Sequence, residues 1–328
     1  MLKFIPRSLR LFYTTQKRPL SQPFMQGDHL PVTVRPSREE VEQGKLSPRN
    51  LEIAIRSLYK DGLVVLEDVV DHGPLDSLNK VMIKDAYTLR DRPDSPFNYN
   101  PGNIQQDPPP VAEHFHTSIF MNPLATQVTS TFLGPRPRWT FCSGNTAMPP
   151  TPTTPPQSQP VHSDADFDHP SHPFALVINV PLVTMTPENG STELWLGTHA
   201  DSGLHVQDGM HGERASGRIK PHLLEQRRAV RPPCQPVVKK GSIVIRDLRL
   251  WHAGKGNYTQ EPRVMLAMIH FAPWYRNQMR LEFAEDIRPI IEGQSELEVP
   301  VDWVTREEAL SRYLNRPFGN SYDFNQTP

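Results

Sequence analysis

The sequence predicts a mainly β fold with flanking helices, its core a double-stranded β-helix (jelly-roll, cupin-like). Three observations lead there. From residue 159 onward, short apolar runs alternate with turns, as in a domain assembled from many brief strands. Two well-punctuated helical segments precede that region and a short one follows it. Residues suited to hold a metal fall on the first of these strands and on a later one. At 328 residues the chain is long enough for one large β domain with helical additions. We divide it into a basic extension, residues 1–30, and one domain, residues 31–328.

The extension holds Lys3, Arg7, Arg10, Lys17 and Arg18 with no acid before Asp28, interleaved with Leu2, Phe4, Ile5, Leu9, Leu11 and Phe12. This composition matches a mitochondrial presequence or a disordered basic extension, and Pro6 weakens the helix a presequence needs. The ending Asn325-Gln326-Thr327-Pro328 carries no peroxisomal tripeptide. Cys142 and Cys234 are the two cysteines, which excludes a disulfide framework or zinc ribbon and suits a reducing compartment. The expected location is therefore cytoplasmic or mitochondrial, not secreted. A net charge of −1 with basic residues spread along the rest of the chain implies no nucleic-acid surface. The longest apolar stretch, Phe174 to Val183, is interrupted by Asn179 and Pro181 and is too short to span a membrane.

After the extension, Ser47 and Pro48 form an N-cap and first-turn proline. Leu51, Ala54, Ile55 and Leu58 then follow at helical spacing until Gly62. Leu63 to Leu66 reads as a strand, and Pro74 to Leu89 as a second helix with Leu75, Leu78, Met82 and Leu89 on one side. Residues 92–111 and Met148 to Gln159, both proline-rich, read as loops; the second enters the metal-binding triplet directly and suits a lid, a rim or a stiff connector. Strands are expected at Phe174–Val183, Thr192–Leu196, Pro236–Val238, Ile243–Ile245 and Val264–Phe271. The charged segment from His199 to Lys240, with Arg227, Arg228 and Arg231, reads as a solvent-facing insertion. Thr305 and Glu308 form a capping box ahead of a last short helix.

The chemistry is concentrated in His162-Ser163-Asp164, His252 and Arg263. Residues two apart on a strand point the same way, so His162 and Asp164 can take adjacent corners of an octahedron. Pro160 fits a strand edge. With His252 arriving from a distant strand, two histidines and a carboxylate make the facial triad of non-haem Fe(II) oxygenases. Three positions on the iron stay open, enough for a bidentate 2-oxo acid and for dioxygen. Arg263 begins the apolar run Val264-Met265-Leu266-Ala267-Met268-Ile269, and its planar guanidinium suits a carboxylate.

Each piece also has an ordinary reading. His-x-Asp triplets are common, a buried histidine such as His252 usually bonds to backbone, and an arginine at a strand start is usually on the surface. The conjunction of order, strand context and arginine carries the metal reading. His169 and His172, each in a proline-rich loop after the triplet, and His199, after a Gly-Thr turn, are further histidines that we place outside the metal shell.

From Gln159 to Tyr275 the chain also resembles the phytanoyl-CoA dioxygenase family of Fe(II)/2-oxoglutarate oxygenases, particularly its fungal members of unassigned substrate. The likeness rests on Gln159-Pro160-Val161-His162-Ser163-Asp164, on Pro187-Glu188-Asn189-Gly190-Ser191-Thr192-Glu193-Leu194-Trp195-Leu196-Gly197-Thr198-His199, on Gly241 to Gly254, and on the spacing to Arg263. A weaker likeness reaches back to about Leu51. The resemblance implies that His162, Asp164 and His252 hold iron, that Arg263 binds the distal carboxylate of 2-oxoglutarate, and that Gln159 hydrogen-bonds the same cosubstrate. Some members carry a hydroxyl residue two places after the second metal histidine; here Gly254 stands there, so Arg263 needs other helpers. The implied reaction consumes dioxygen and 2-oxoglutarate, releases succinate and carbon dioxide, and oxidises a small organic or lipid-like substrate, most simply by hydroxylation. Desaturation, epoxidation or ring formation on the same fold is an alternative outcome, and a non-catalytic jelly roll that binds metal or ligand is the alternative of another class.

Overall fold

The structure is a computed structural model that describes residues 29–209, 217–316 and 323–326. The presequence-like segment, part of the charged segment after His199 and the last two residues of the chain lie outside the described residues. Strand β1 (Thr33–Val34) and helix α1 (Arg38–Gln43) lead into α2 (Pro48–Asp61). The Ser47 hydroxyl accepts from the Asn50 amide and Pro48 occupies the first turn, as the sequence predicts. Gly62 ends α2 at φ 72°, a left-handed conformation that disfavours any residue with a Cβ. A Cβ there would also stand 2.5 Å from Nδ1 of the buried His199.

β2 (Leu63–Leu66) is buried along its whole length, and α3 (His72–Arg90) begins two residues before the predicted Pro74. Between α3 and the metal-binding triplet stand four elements for which the sequence shows no clear signal. β3 (Asn103–Gln106) interrupts the expected 92–111 loop, and α4 (Thr117–Phe120), α5 (Pro123–Leu133) and the ten-residue β4 (Arg138–Ala147) follow. Next come β5 (Ala175–Pro181), β6 (Thr192–Leu194), β7 (Gln207–Asp208), β8 (Arg218–Ile219), α6 (Pro221–Val230), β9 (Ile243–Asp247), β10 (His252–Gly254) and β11 (Arg263–Phe271). The run Pro236–Val238 is not a strand; Val238 makes a single bridge to Met185. β12 (Leu281–Ala284), α7 (Arg288–Glu292), β13 (Val301–Val304) and α8 (Arg306–Arg312) close the fold, α8 with both halves of its Thr305/Glu308 capping box formed.

The major sheet has the order β1-β2-β9-β5-β11-β4-β3, antiparallel throughout except for β1 against β2. Its helix-facing side carries Ile178, Val180, Ile245, Leu266 and Met268, which pack with Leu58, Leu75, Leu78, Met82 and Val128 in the main hydrophobic core. The other side faces a second sheet made of very short pieces. His162 bridges both His252 and Arg218, joining the β7–β8 pair to the β10–β6 pair, and Leu194 bridges onward to Cys234. Alternation along β11 turns Arg263, Met265, Ala267 and Ile269 into the space between the sheets. This is a double-sheet jelly roll buttressed by helices on one face. No helix among the described residues is long and apolar enough to cross a membrane.

Candidate metal centre

The His162-Ser163-Asp164 triplet does not form the strand its spacing predicts: His162 makes an isolated bridge directly opposite His252 of β10, each backbone amide donating to the other's carbonyl at 2.9 and 3.0 Å. Facing residues of an antiparallel pair project to the same side, which brings the two imidazole rings to 4.3 Å between centroids. In each ring Nδ1 is committed to the carbonyl two residues back: His162 to Pro160 at 2.9 Å and His252 to Leu250 at 3.0 Å. A carbonyl only accepts, so Nδ1 carries the proton and Nε2 presents a lone pair. Asp164 Oδ1 lies 3.7 Å from both Nε2 atoms. The three ligand atoms fall within 4.8 Å of one another, the one group of three or more such side chains among the described residues placed to share an ion.

The protonation states favour ligation. Burial pushes the His162 and His252 imidazoles below their ordinary range, His252 furthest, and Arg246 adds to the effect there. Burial opposes charge on Asp164, but the Arg246 guanidinium and the two histidines outweigh it and hold the carboxyl well below the usual carboxylate range. The centre thus offers two neutral nitrogens and one ionised oxygen, a donor set suited to a divalent iron with open positions.

Arg263 heads β11 and is 1% exposed. Its Nη1 and Nη2 donate to the Asn145 and Gly190 carbonyls at 3.2 and 2.9 Å, while Nε has no partner. No acidic side chain pairs with it among the described residues, and burial alone pushes the guanidinium down to about 10. A buried cation without a counter-ion is costly, and this one lines the same cavity as His162, Asp164 and His252. Gln159 lines the same cavity. Its amide donates to the Gly254 carbonyl at 2.8 Å and its Oε1 accepts from the Gly254 amide at 2.8 Å. A Cβ at Gly254 would sit 2.7 Å from that Oε1, so the carboxamide of Gln159 fills the volume that a hydroxyl side chain would otherwise take.

The remaining histidines are placed elsewhere. His169 stacks on Phe174 with ring centroids 5.3 Å apart, His172 lies against Trp274, and His199 is packed over Gly62. Of the arginines of the charged segment, Arg231 pairs with Asp61 at the end of α2 at 2.6 Å, Arg227 donates to the Leu196 carbonyl, and Arg228 covers the Trp195 ring. Two residues that sequence reasoning missed border the His162–Asp164–His252 cluster. Arg246 Nη2 holds Asp164 Oδ2 at 2.5 Å, and Tyr99, at φ 65°, packs its ring 4.6 Å from that of His162. The sequence signal for the first is only an arginine at the end of the apolar run Ile243-Val244-Ile245, and Tyr99 left none in its loop.

The phytanoyl-CoA dioxygenase (PhyH) family model matches residues 58–265, well over half of the chain, a span that includes Gln159, His162, Asp164, Arg246, His252 and Arg263. Among solved structures, EctD from S. alaskensis in its apoform is 18% identical over 85% of this chain and 94% of that one, with a TM-score of 0.51. AviO1 from Streptomyces viridochromogenes Tue57 is 17% identical over 69% of this chain and 96% of that one, with a TM-score of 0.51. The epimerase SnoN, in complex with Fe3+, alpha ketoglutarate and nogalamycin RO, is 18% identical over 69% of this chain and 84% of that one, with a TM-score of 0.50. At such identities the likeness establishes the fold. The family match establishes more: the chain belongs to the phytanoyl-CoA dioxygenase family, oxidoreductases that depend on iron and 2-oxoglutarate.

Proposed function

We propose that this oxygenase hydroxylates a C–H group of a small organic or lipid-like substrate, with 2-oxoglutarate converted to succinate and carbon dioxide. His162, Asp164 and His252 hold the iron, Arg263 binds the distal carboxylate of 2-oxoglutarate, and Gln159 helps orient the same molecule. The observation that carries this reading is the conjunction of a three-ligand cluster within 4.8 Å and a buried, acid-free arginine on one cavity. Bound iron supplies the activation of dioxygen coupled to oxidative decarboxylation of the 2-oxo acid.

The chain's own part is positioning and exclusion of water. Phe141, Val177, Met265 and Ile269 give the cavity apolar walls, while Asn98, Asn145 and Asn179 place amides among them. Such a mixture desolvates a substrate and fixes its orientation through a few polar contacts. No side-chain acid or base is needed for removal of a hydrogen atom, so His162 and His252 serve as ligands rather than proton carriers. Substrate position relative to the metal decides between hydroxylation and desaturation, epoxidation or ring closure. The test is oxygen-dependent succinate formation from 2-oxoglutarate with added Fe(II), followed by mass analysis of candidate substrates. A gain of one oxygen atom together with a new exchangeable O–H supports hydroxylation, the same gain without it supports epoxidation, loss of two hydrogens supports desaturation or ring formation, and absence of succinate with every substrate overturns the proposal.

A further inference from the structure

Arg246 stands between the metal ligands and the major sheet, 5% exposed, with no task in the chemistry described so far. Its Nη2 takes Asp164 Oδ2 at 2.5 Å, and its Nε donates to Asn179 Oδ1 at 3.2 Å. Asn179 is itself fixed by donation to the Leu266 carbonyl at 3.2 Å. The guanidinium is therefore held from two sides and presents a defined edge to the carboxylate. Nη1 is buried without a partner, and the residue lines the metal cavity. Oδ1 of Asp164, by contrast, is the oxygen that faces both imidazoles.

We infer that Arg246 is a positioning residue for the cosubstrate as well as for Asp164, an inference that rests on the proposed iron and 2-oxoglutarate chemistry. Two consequences of the geometry act together. Occupation of Oδ2 restricts Asp164 to a single metal-facing oxygen and keeps the adjoining coordination positions free for a chelating 2-oxo acid. The guanidinium also cancels the charge of Asp164, so a divalent ion in the site retains its full attraction for an incoming dianion, in a cavity where low dielectric makes one unit of charge count. Nη1 remains for an oxygen of that anion.

The test uses Mn(II) as a divalent probe and calorimetry of the full chain, first with metal alone and then with 2-oxoglutarate added to the Mn(II)-loaded protein. For Arg246→Met the expected result is Mn(II) affinity equal to or above that of the wild type, because Asp164 regains its second oxygen and loses a cationic neighbour. 2-Oxoglutarate affinity should fall tenfold or more. Arg246→Lys keeps the charge without spanning Asn179 and Asp164 together, and should fall between the two. A thermal midpoint on the metal-free variants checks the fold; should the methionine variant not fold, Arg246→Gln carries the same expectation. Unchanged 2-oxoglutarate affinity in a folded variant, joint loss of Mn(II) affinity and thermal stability, or full recovery with lysine would each overturn the inference. If the wild-type Mn(II) protein itself fails to bind 2-oxoglutarate, the proposed function falls instead.

Discussion

His162 and His252 solve the same local problem in the same way: each turns Nδ1 onto the carbonyl of the residue two before it and aims Nε2 into the cavity. Because the two residues face each other across a single antiparallel bridge, moving either segment by one position would turn its imidazole to the opposite face. Removal of His162, Asp164 or His252 by alanine should abolish iron-dependent turnover. Substitution of His169 or His172, which pack against Phe174 and Trp274, should leave bound iron and most activity in place. Metal analysis of the purified variants decides this. A fully iron-loaded and active His252→Ala protein would remove His252 from the ligand set. The triplet and the two later residues were legible in the sequence because ligand chemistry restricts residue type so strongly. Arg246 was not singled out, since a charged residue at the end of an apolar run ordinarily marks only the edge of a strand.

At the level of elements, β11 shows how one strand serves two environments. Its cavity side carries Arg263, and its helix side carries His270, which is 3% exposed and hydrogen-bonded to the Thr129 hydroxyl at 3.0 Å. Burial pushes the His270 imidazole down to about 3, below the unfolded value near 6.5. The unfolded chain thus takes up the proton first. Stability from this group is complete above about pH 6.5 and falls as pH drops toward about 3, by up to ~1.4 kcal/mol per pH unit. In urea unfolding, the loss on going from about pH 7 to about pH 5 should be roughly 2 kcal/mol greater for the wild type than for His270→Gln; equal losses would contradict the assignment.

The junction of α2 and β2 offers a second test. Gly62→Ala places a Cβ both in the left-handed region and against His199, which should cost about 2 kcal/mol or more; a cost under about 0.5 kcal/mol would show that the turn relaxes freely. This junction was legible because its signals are local: an N-cap serine, a first-turn proline and a terminal glycine. β4 was not. It is covered on both faces, and its cavity side carries Ser143 and Asn145, so its apolar residues show no clean alternation. β3 hides its polarity differently, since Gln106 donates to the Met82 carbonyl and accepts from Thr146.

For the molecule as a whole, α2, α3 and α5 cover one side of a seven-stranded sheet and leave the other side free to build a site. The opposing sheet consists of strands of two or three residues and single bridges, too short for any period to show in sequence. Its existence could be inferred only from the ligands it carries. That division of labour places a rigid floor, with Arg263 and Arg246, beneath a roof that supplies His162, Asp164 and His252.

The central claim is that iron and 2-oxoglutarate meet in this cavity, with Arg263 as the carboxylate clamp. Anaerobic titration of the Fe(II) protein with 2-oxoglutarate tests it directly, followed by the metal-to-ligand charge-transfer band that chelation produces. The wild type should develop the band. Arg263→Met should bind the cosubstrate more weakly by about 2–5 kcal/mol, the range for removing one partner of a buried charge pair. Arg263→Lys should recover only part of that loss, because an ammonium cannot make the two-pronged contact. No band in the wild type, or unchanged affinity in the methionine variant, would contradict the account.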